Sequence, residues 1–145
     1  MSKYFVIFFI ALAAAVIFFF YPKKISNSNN EIIINDLKIK IEVAGDPYSR
    51  YRGLSGREEL CANCGMLFVF PWQAKQTFVM RRMKFPLDII WIKGDTIVKI
   101  DKNLPPEGAI PKNFYSSGEP VDYVLEVNGG FTDRNNIKTG DQAKF

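Results

Sequence analysis

Residues Tyr4 to Tyr21 form an unbroken run of 18 aliphatic, aromatic and alanine side chains, with Lys3 on one side and Lys23-Lys24 on the other. That is about the minimum length that crosses a bilayer as a helix. A secretory signal would have a shorter apolar core ending in a small-x-small cleavage site. Here Ala11, Ala13, Ala14 and Ala15 sit mid-run, and Val16-Ile17-Phe18-Phe19-Phe20 follows them. An uncleaved anchor is therefore expected over residues 1–24. A buried helix of a soluble domain fits poorly, because the run has no polar face.

Setting the anchor aside changes what the charge means. The chain carries net charge +4 with pI ≈ 9.1. Residues 1–30 contribute three lysines and no acid, which leaves 16 basic against 15 acidic residues, or +1, in the remainder. Such a balance lacks the electrostatic footprint of a nucleic-acid binder, so none is expected as a partner. Residues 25–30 are polar and aperiodic and read as a tether. Residues 31–145 have the length of a single globular domain. Lys3 with the α-amino group nearly balances Lys23 and Lys24 across the run. The short leading segment and the cysteine pair favour an extracytoplasmic domain on a single-pass signal anchor.

The domain reads as β-rich. Leu37, Ile39, Ile41 and Val43 alternate with Lys38, Lys40 and Glu42, the period-two pattern of a half-buried strand. Asn35-Asp36 separates this run from Ile32-Ile33-Ile34 and suggests a hairpin. Further strands are expected over residues 66–70, 77–80, 87–92, 97–100 and 123–127, with Lys93-Gly94-Asp95-Thr96 as a hairpin connection. No long helix separates them. An α+β, β-rich class follows, with a compact curled or barrel-like, mostly antiparallel sheet. Two or three short helices are expected: Pro47–Arg52 behind an Asp46 N-cap, a turn or two after a Ser55/Glu58 capping box, and Phe131–Asn135. Residues 103–120, rich in proline, read as a long irregular loop.

Cys61-Ala62-Asn63-Cys64 is a short-range chemical motif. Zinc needs about four ligands, and the chain has no histidine and no third cysteine, so one chain cannot build such a site. A structural disulfide, a redox pair and a metal shared between two chains remain, with the disulfide favoured in an oxidising compartment. The absence of histidine also removes Ser-His-Asp, Cys-His and metal-histidine centres. Neither glycine cluster has the spacing or lysine of a phosphate loop, and no cofactor is implied. Carboxylates in apolar runs remain for acid–base work: Asp88 and Glu126, with Arg52, Arg81 and Arg82 as candidate partners.

Several segments stand in a recognisable order: Arg52-Gly53-Leu54-Ser55-Gly56-Arg57, Gly65 to Pro71, Phe78-Val79-Met80-Arg81, Pro86 to Ile92, Tyr123 to Gly130, and Ile137 to Asp141. Together they resemble the domain of unknown function 192 family over about Leu37 to Phe145. The resemblance implies a compact β-rich fold, prokaryotic membership and frequent export signals or anchors, without an established activity. Where the family often has Lys-Asn-Thr after the methionine, this chain has Arg81-Arg82-Met83. Its cysteine pair replaces acidic or small residues and marks a subgroup.

Two functional readings follow. One is a membrane-tethered binding or accessory module of the cell envelope, taking a small ligand or an envelope protein in a cleft lined by Arg52, Met80, Arg81, Asp88 and the loop around Phe114-Tyr115. The other is a histidine-free enzyme using Asp88 or Glu126.

Overall fold

The structure is a computed structural model and describes residues 30–145. The expected anchor over residues 4–21 and nearly all of the tether lie outside these residues. Among the described residues, no helix is long and apolar enough to cross a membrane.

Nine strands and two short helices follow in the order β1 (Glu31–Ile34), β2 (Leu37–Ala44), α1 (Pro47–Arg52), β3 (Cys64–Ala74), β4 (Thr77–Phe78), β5 (Leu87–Lys93), β6 (Thr96–Leu104), β7 (Tyr115–Ser116), β8 (Val121–Asn128), α2 (Phe131–Arg134) and β9 (Ala143–Lys144). Seven strands form one sheet in the order β6-β5-β8-β3-β2-β1-β9, while β4 and β7 pair separately. All pairings are antiparallel except β2 with β3. The sheet curls until its edges meet. Ile97 N donates to Asp141 O (3.0 Å), Gly140 N to Ile97 O (2.8 Å) and Ala143 N to Asp95 O (2.7 Å), joining the segment before β9 to the start of β6.

The hairpin expected at Asn35-Asp36 is present, and both residues adopt positive φ (50° and 64°), which their short polar side chains tolerate. The Lys93–Thr96 hairpin joins β5 to β6 as expected. At α1, Asp46 Oδ1 accepts from Tyr48 N (2.9 Å) and Ser49 N (3.0 Å), satisfying donors that a helix start leaves free.

Three expectations are corrected. The Ser55 capping box forms no helix: Ser55 Oγ donates to Arg81 O (2.8 Å), Gly56 N donates to Arg82 O (2.8 Å), and Glu58 pairs with Lys84. Tertiary contacts thus take the groups that would have nucleated the turn. The strand expected over residues 77–80 ends at Phe78. Residues 103–120 are also less irregular than their prolines suggest, because β6 continues to Leu104 and β7 pairs with β4.

The central strands β3, β5 and β8 are buried on both faces, which is why they read as continuous apolar runs. Alternation divides their side chains between two cores. Leu67, Val69, Ile90, Ile92, Leu125 and Val127 point into the concave side with Ile32, Ile39, Phe131 and Ile137. Met66, Phe68, Leu87, Ile89, Trp91 and Val124 point to the convex side, covered by Leu54, Met80, Met83 and β4.

Candidate functional site

A cleft of about 300 Å³ opens on the convex side of the sheet. Helix α1 and the turn after it supply Arg50, Tyr51, Arg52, Leu54 and Ser55; β3 supplies Phe68 and Phe70; β4 and its flanks supply Thr77, Phe78, Arg81 and Met83; and β8 supplies Glu126. The aromatic wall is fixed by edge-to-face packing: the Phe68 and Phe78 rings lie 4.8 Å apart at 85°, and Phe78 packs on Trp91 at 5.5 Å and 86°. Gly53 ends α1 at φ 48°, and a Cβ there would lie 3.3 Å from Phe68 Cζ. Glycine therefore lets the helix end lie directly on that wall.

Glu126 is the carboxylate among the cleft-lining residues. Its neighbours Leu125 and Val127 point into the concave core, so alternation turns Glu126 to the convex side beside Met66 and Ile89, its register partners on β3 and β5. It is only 5% exposed. Among the described residues, no hydrogen bond or ion pair reaches its side chain, yet no buried side-chain oxygen is sealed away without a partner, so the carboxyl group keeps access to the open cleft. Burial alone pushes its pKa up to about 8.

The arginines are held at the rim. Arg81 donates to Tyr51 O (2.8 Å) and lies over the Tyr51 ring at 4.1 Å. Arg50 donates to Val69 O (3.1 Å) and to Gly45 O and sits over Phe70 at 5.4 Å. Beyond the Arg81–Tyr51 stack lies a second depression of about 380 Å³, whose lining adds Tyr48, Arg82 and Ala109 to the shared Tyr51, Arg52, Ser55 and Arg81.

Of the residues singled out by sequence, Arg52, Arg81 and Glu126 line the cleft and Asp88, Met80 and Tyr115 do not. Asp88 sits between Leu87 and Ile89, which face the convex core, so it points the other way. There, fully buried, it accepts from Asn103 N (2.7 Å), Gly130 N (2.9 Å), Thr132 N (2.8 Å) and Thr132 Oγ1 (2.7 Å), and it meets no arginine. It is a structural anchor for the start of α2 and the end of β6. Met80 is fully buried in the convex core. Tyr115 is fixed by the β4–β7 pairing against that core, and burial, with Glu107 and Asp101 nearby, raises its pKa. Phe114 is exposed outside the cleft. Sequence reasoning missed Arg50, Tyr51, Phe68 and Phe78, although the expected helix over residues 47–52 already carried the first two.

Cys61 and Cys64 form a disulfide with Cα atoms 5.1 Å apart. Among the described residues, no group of three or more histidine, cysteine, aspartate or glutamate side chains is arranged to hold a metal ion.

Comparison with known proteins places this architecture. The family DUF192, described as an uncharacterized ACR, matches residues 30–145. The chain belongs to the DUF192 family. Two crystal structures are similar. One is a candidate transcription regulator from Sinorhizobium meliloti 1021, at 31% identity and TM-score 0.72, covering 79% of this chain and 89% of that one. The other is a protein of unknown function from Novosphingobium aromaticivorans DSM 12444, at 28% identity and TM-score 0.73, covering 86% and 93%. No curated protein matches the chain.

Proposed function

We propose that this DUF192 chain is a small-ligand-binding or accessory module of the cell envelope, tethered by residues 4–21, with the convex-side cleft as its site. The observation that carries the reading is the unpartnered Glu126 carboxyl inside an aromatic cleft. The carboxyl group belongs to a nearly buried residue, has no hydrogen-bond partner among the described residues and opens onto the cleft, so a ligand there meets a polar group whose hydrogen-bonding capacity is unused. Apolar walls with a few placed polar groups are also the usual composition of a small-molecule site.

An enzyme using Glu126 as a general acid is the second reading, favoured by its pKa of about 8. The surroundings support it less. The cleft has no second carboxylate, and the Ser55 hydroxyl is already donating to Arg81 O. Transcription regulation, suggested by the label of the Sinorhizobium protein, fits poorly with a charge of +1 outside residues 1–30.

A thermal-shift library screen on the full chain tests the proposal, because any specific binder stabilises the native state by mass action. Thr77 is exposed at the cleft, so Thr77→Trp should fill the cleft without disturbing either core. Hits should stabilise the wild type and fail to stabilise this variant. Equal stabilisation of both would move the binding site elsewhere.

A further inference from the structure

The cleft and the depression beyond the Arg81–Tyr51 stack share Tyr51, Arg52, Ser55 and Arg81, so they form two compartments of one continuous surface. Their chemistry differs. The first has aromatic walls, the carboxyl group of Glu126 and arginines at its rim; the second shares Arg52 and Arg81 with it, adds Arg82 and has no acid. Among the described residues, no hydrogen bond or ion pair joins Glu126 to these arginines. The Arg52 side chain is exposed and makes no hydrogen bond to the described residues. Arg81 has one terminal nitrogen on Tyr51 O, and its other guanidinium donors make no hydrogen bond to the described residues.

We infer that the ligand is an amphipathic small organic anion. Its carboxylate or phosphate sits against Arg52, Arg81 and Arg82, its apolar body lies along Phe68 and Phe78, and an uncharged oxygen at its far end meets the Glu126 carboxyl. This rests on the cleft being the binding site and adds which chemistry the cleft selects. Arginine matches an oxyanion with paired donors, and Arg81 is already oriented by its stack on Tyr51. An anionic group placed at the far end would instead lie against another acid, which fixes the direction in which the ligand enters. Free anions and the headgroup of an anionic lipid share the anionic chemistry. The cleft volume of about 300 Å³ favours a free small molecule, because a lipid would have to bury its headgroup end and leave its chains outside.

Three matched probes on the full chain separate the parts of this inference by isothermal titration calorimetry. Phloretate carries a carboxylate, an aromatic ring and a phenol hydroxyl; hydrocinnamate lacks the hydroxyl; the alcohol made by reducing the carboxylate of phloretate lacks the anion. Phloretate should bind, hydrocinnamate several-fold more weakly, and the alcohol about tenfold or more weakly, since a charge-assisted arginine contact is lost. Arg52→Met, at an exposed side chain, should weaken phloretate and leave the alcohol unchanged, and added salt should act in the same direction. The alcohol binding as tightly as phloretate, or phloretate not binding at millimolar concentration, overturns the inference while the library screen still stands for the cleft. Binding of all three unaffected by Thr77→Trp overturns the cleft reading itself. Binding of anionic vesicles in place of phloretate, lost in Arg52→Met, assigns the arginines to a lipid headgroup and overturns the free-molecule form.

Discussion

Asp88 and Glu126 occupy neighbouring strands, in apolar runs that look alike, and the fold gives them opposite tasks. Asp88 receives four hydrogen bonds from Asn103, Gly130 and Thr132, so its charge is matched by donors that have nowhere else to go. Asp88→Asn places an amide donor against those N–H groups. It should lower stability by about 3 kcal/mol in denaturant unfolding and leave ligand binding in the cleft unchanged. Glu126 has the reverse pH behaviour of a matched carboxylate. Its folded pKa, about 8, lies above the ordinary 4.5, so the unfolded chain releases the proton first. The contribution of Glu126 to stability is therefore greatest at low pH, falls as pH rises from about 4.5 to 8, and levels off above that. The full span of this contribution is on the order of 5 kcal/mol. Glu126→Gln should flatten this slope and be the more stable protein at pH 8. The sequence placed both carboxylates in apolar runs, where each either faces solvent or is buried and must find a partner. Telling them apart required donors from Asn103, Gly130 and Thr132, which are brought to Asp88 only by the completed sheet.

At the level of elements, strands with a clear period were legible and short helices less so. Alternation from Leu37 to Ile41 and the continuous run Leu87 to Ile92 each announced their burial, on one face and on two, whereas Val43, expected inside, is exposed and Ala44 is buried in its place. The Ser55 turn misled because its hydroxyl and neighbouring amide are claimed by the backbone of Arg81 and Arg82, far along the chain. These same bonds hold the wall of the cleft. The disulfide lies downstream of that turn, where Asn128 Nδ2 donates to Leu60 O (3.1 Å) and Cys61 O (3.0 Å). A ring of four residues restrains little chain entropy, so replacing Cys61 and Cys64 by serine should cost about 2 kcal/mol. Circular dichroism of that variant should keep the native strand signal, because the Asn128 bonds still fix the turn.

For the whole molecule, the curled, mostly antiparallel sheet followed from many short strands without intervening long helices. The parallel β2–β3 pairing did not, since it depends on α1 and the disulfide-bearing loop carrying the chain across. The candidate site was legible in part for a related reason: Arg52, Arg81 and Glu126 come from three separate segments, and nothing local says that they converge while Met80 and Tyr115 turn into the core. The proposed tether adds a simple outcome at this scale. Full-length protein should fractionate with membranes and resist extraction by high salt, since buried hydrocarbon is insensitive to charge screening; release by salt would remove the anchor. The central claim is that an unpartnered, uncharged carboxyl waits in an open cleft, and a carbon-13 NMR titration of the Glu126 carboxyl in the full chain tests it most directly. A midpoint near 8 that moves when a cleft ligand is added is the result expected. An ordinary midpoint near 4.5, unchanged by any ligand, would contradict it.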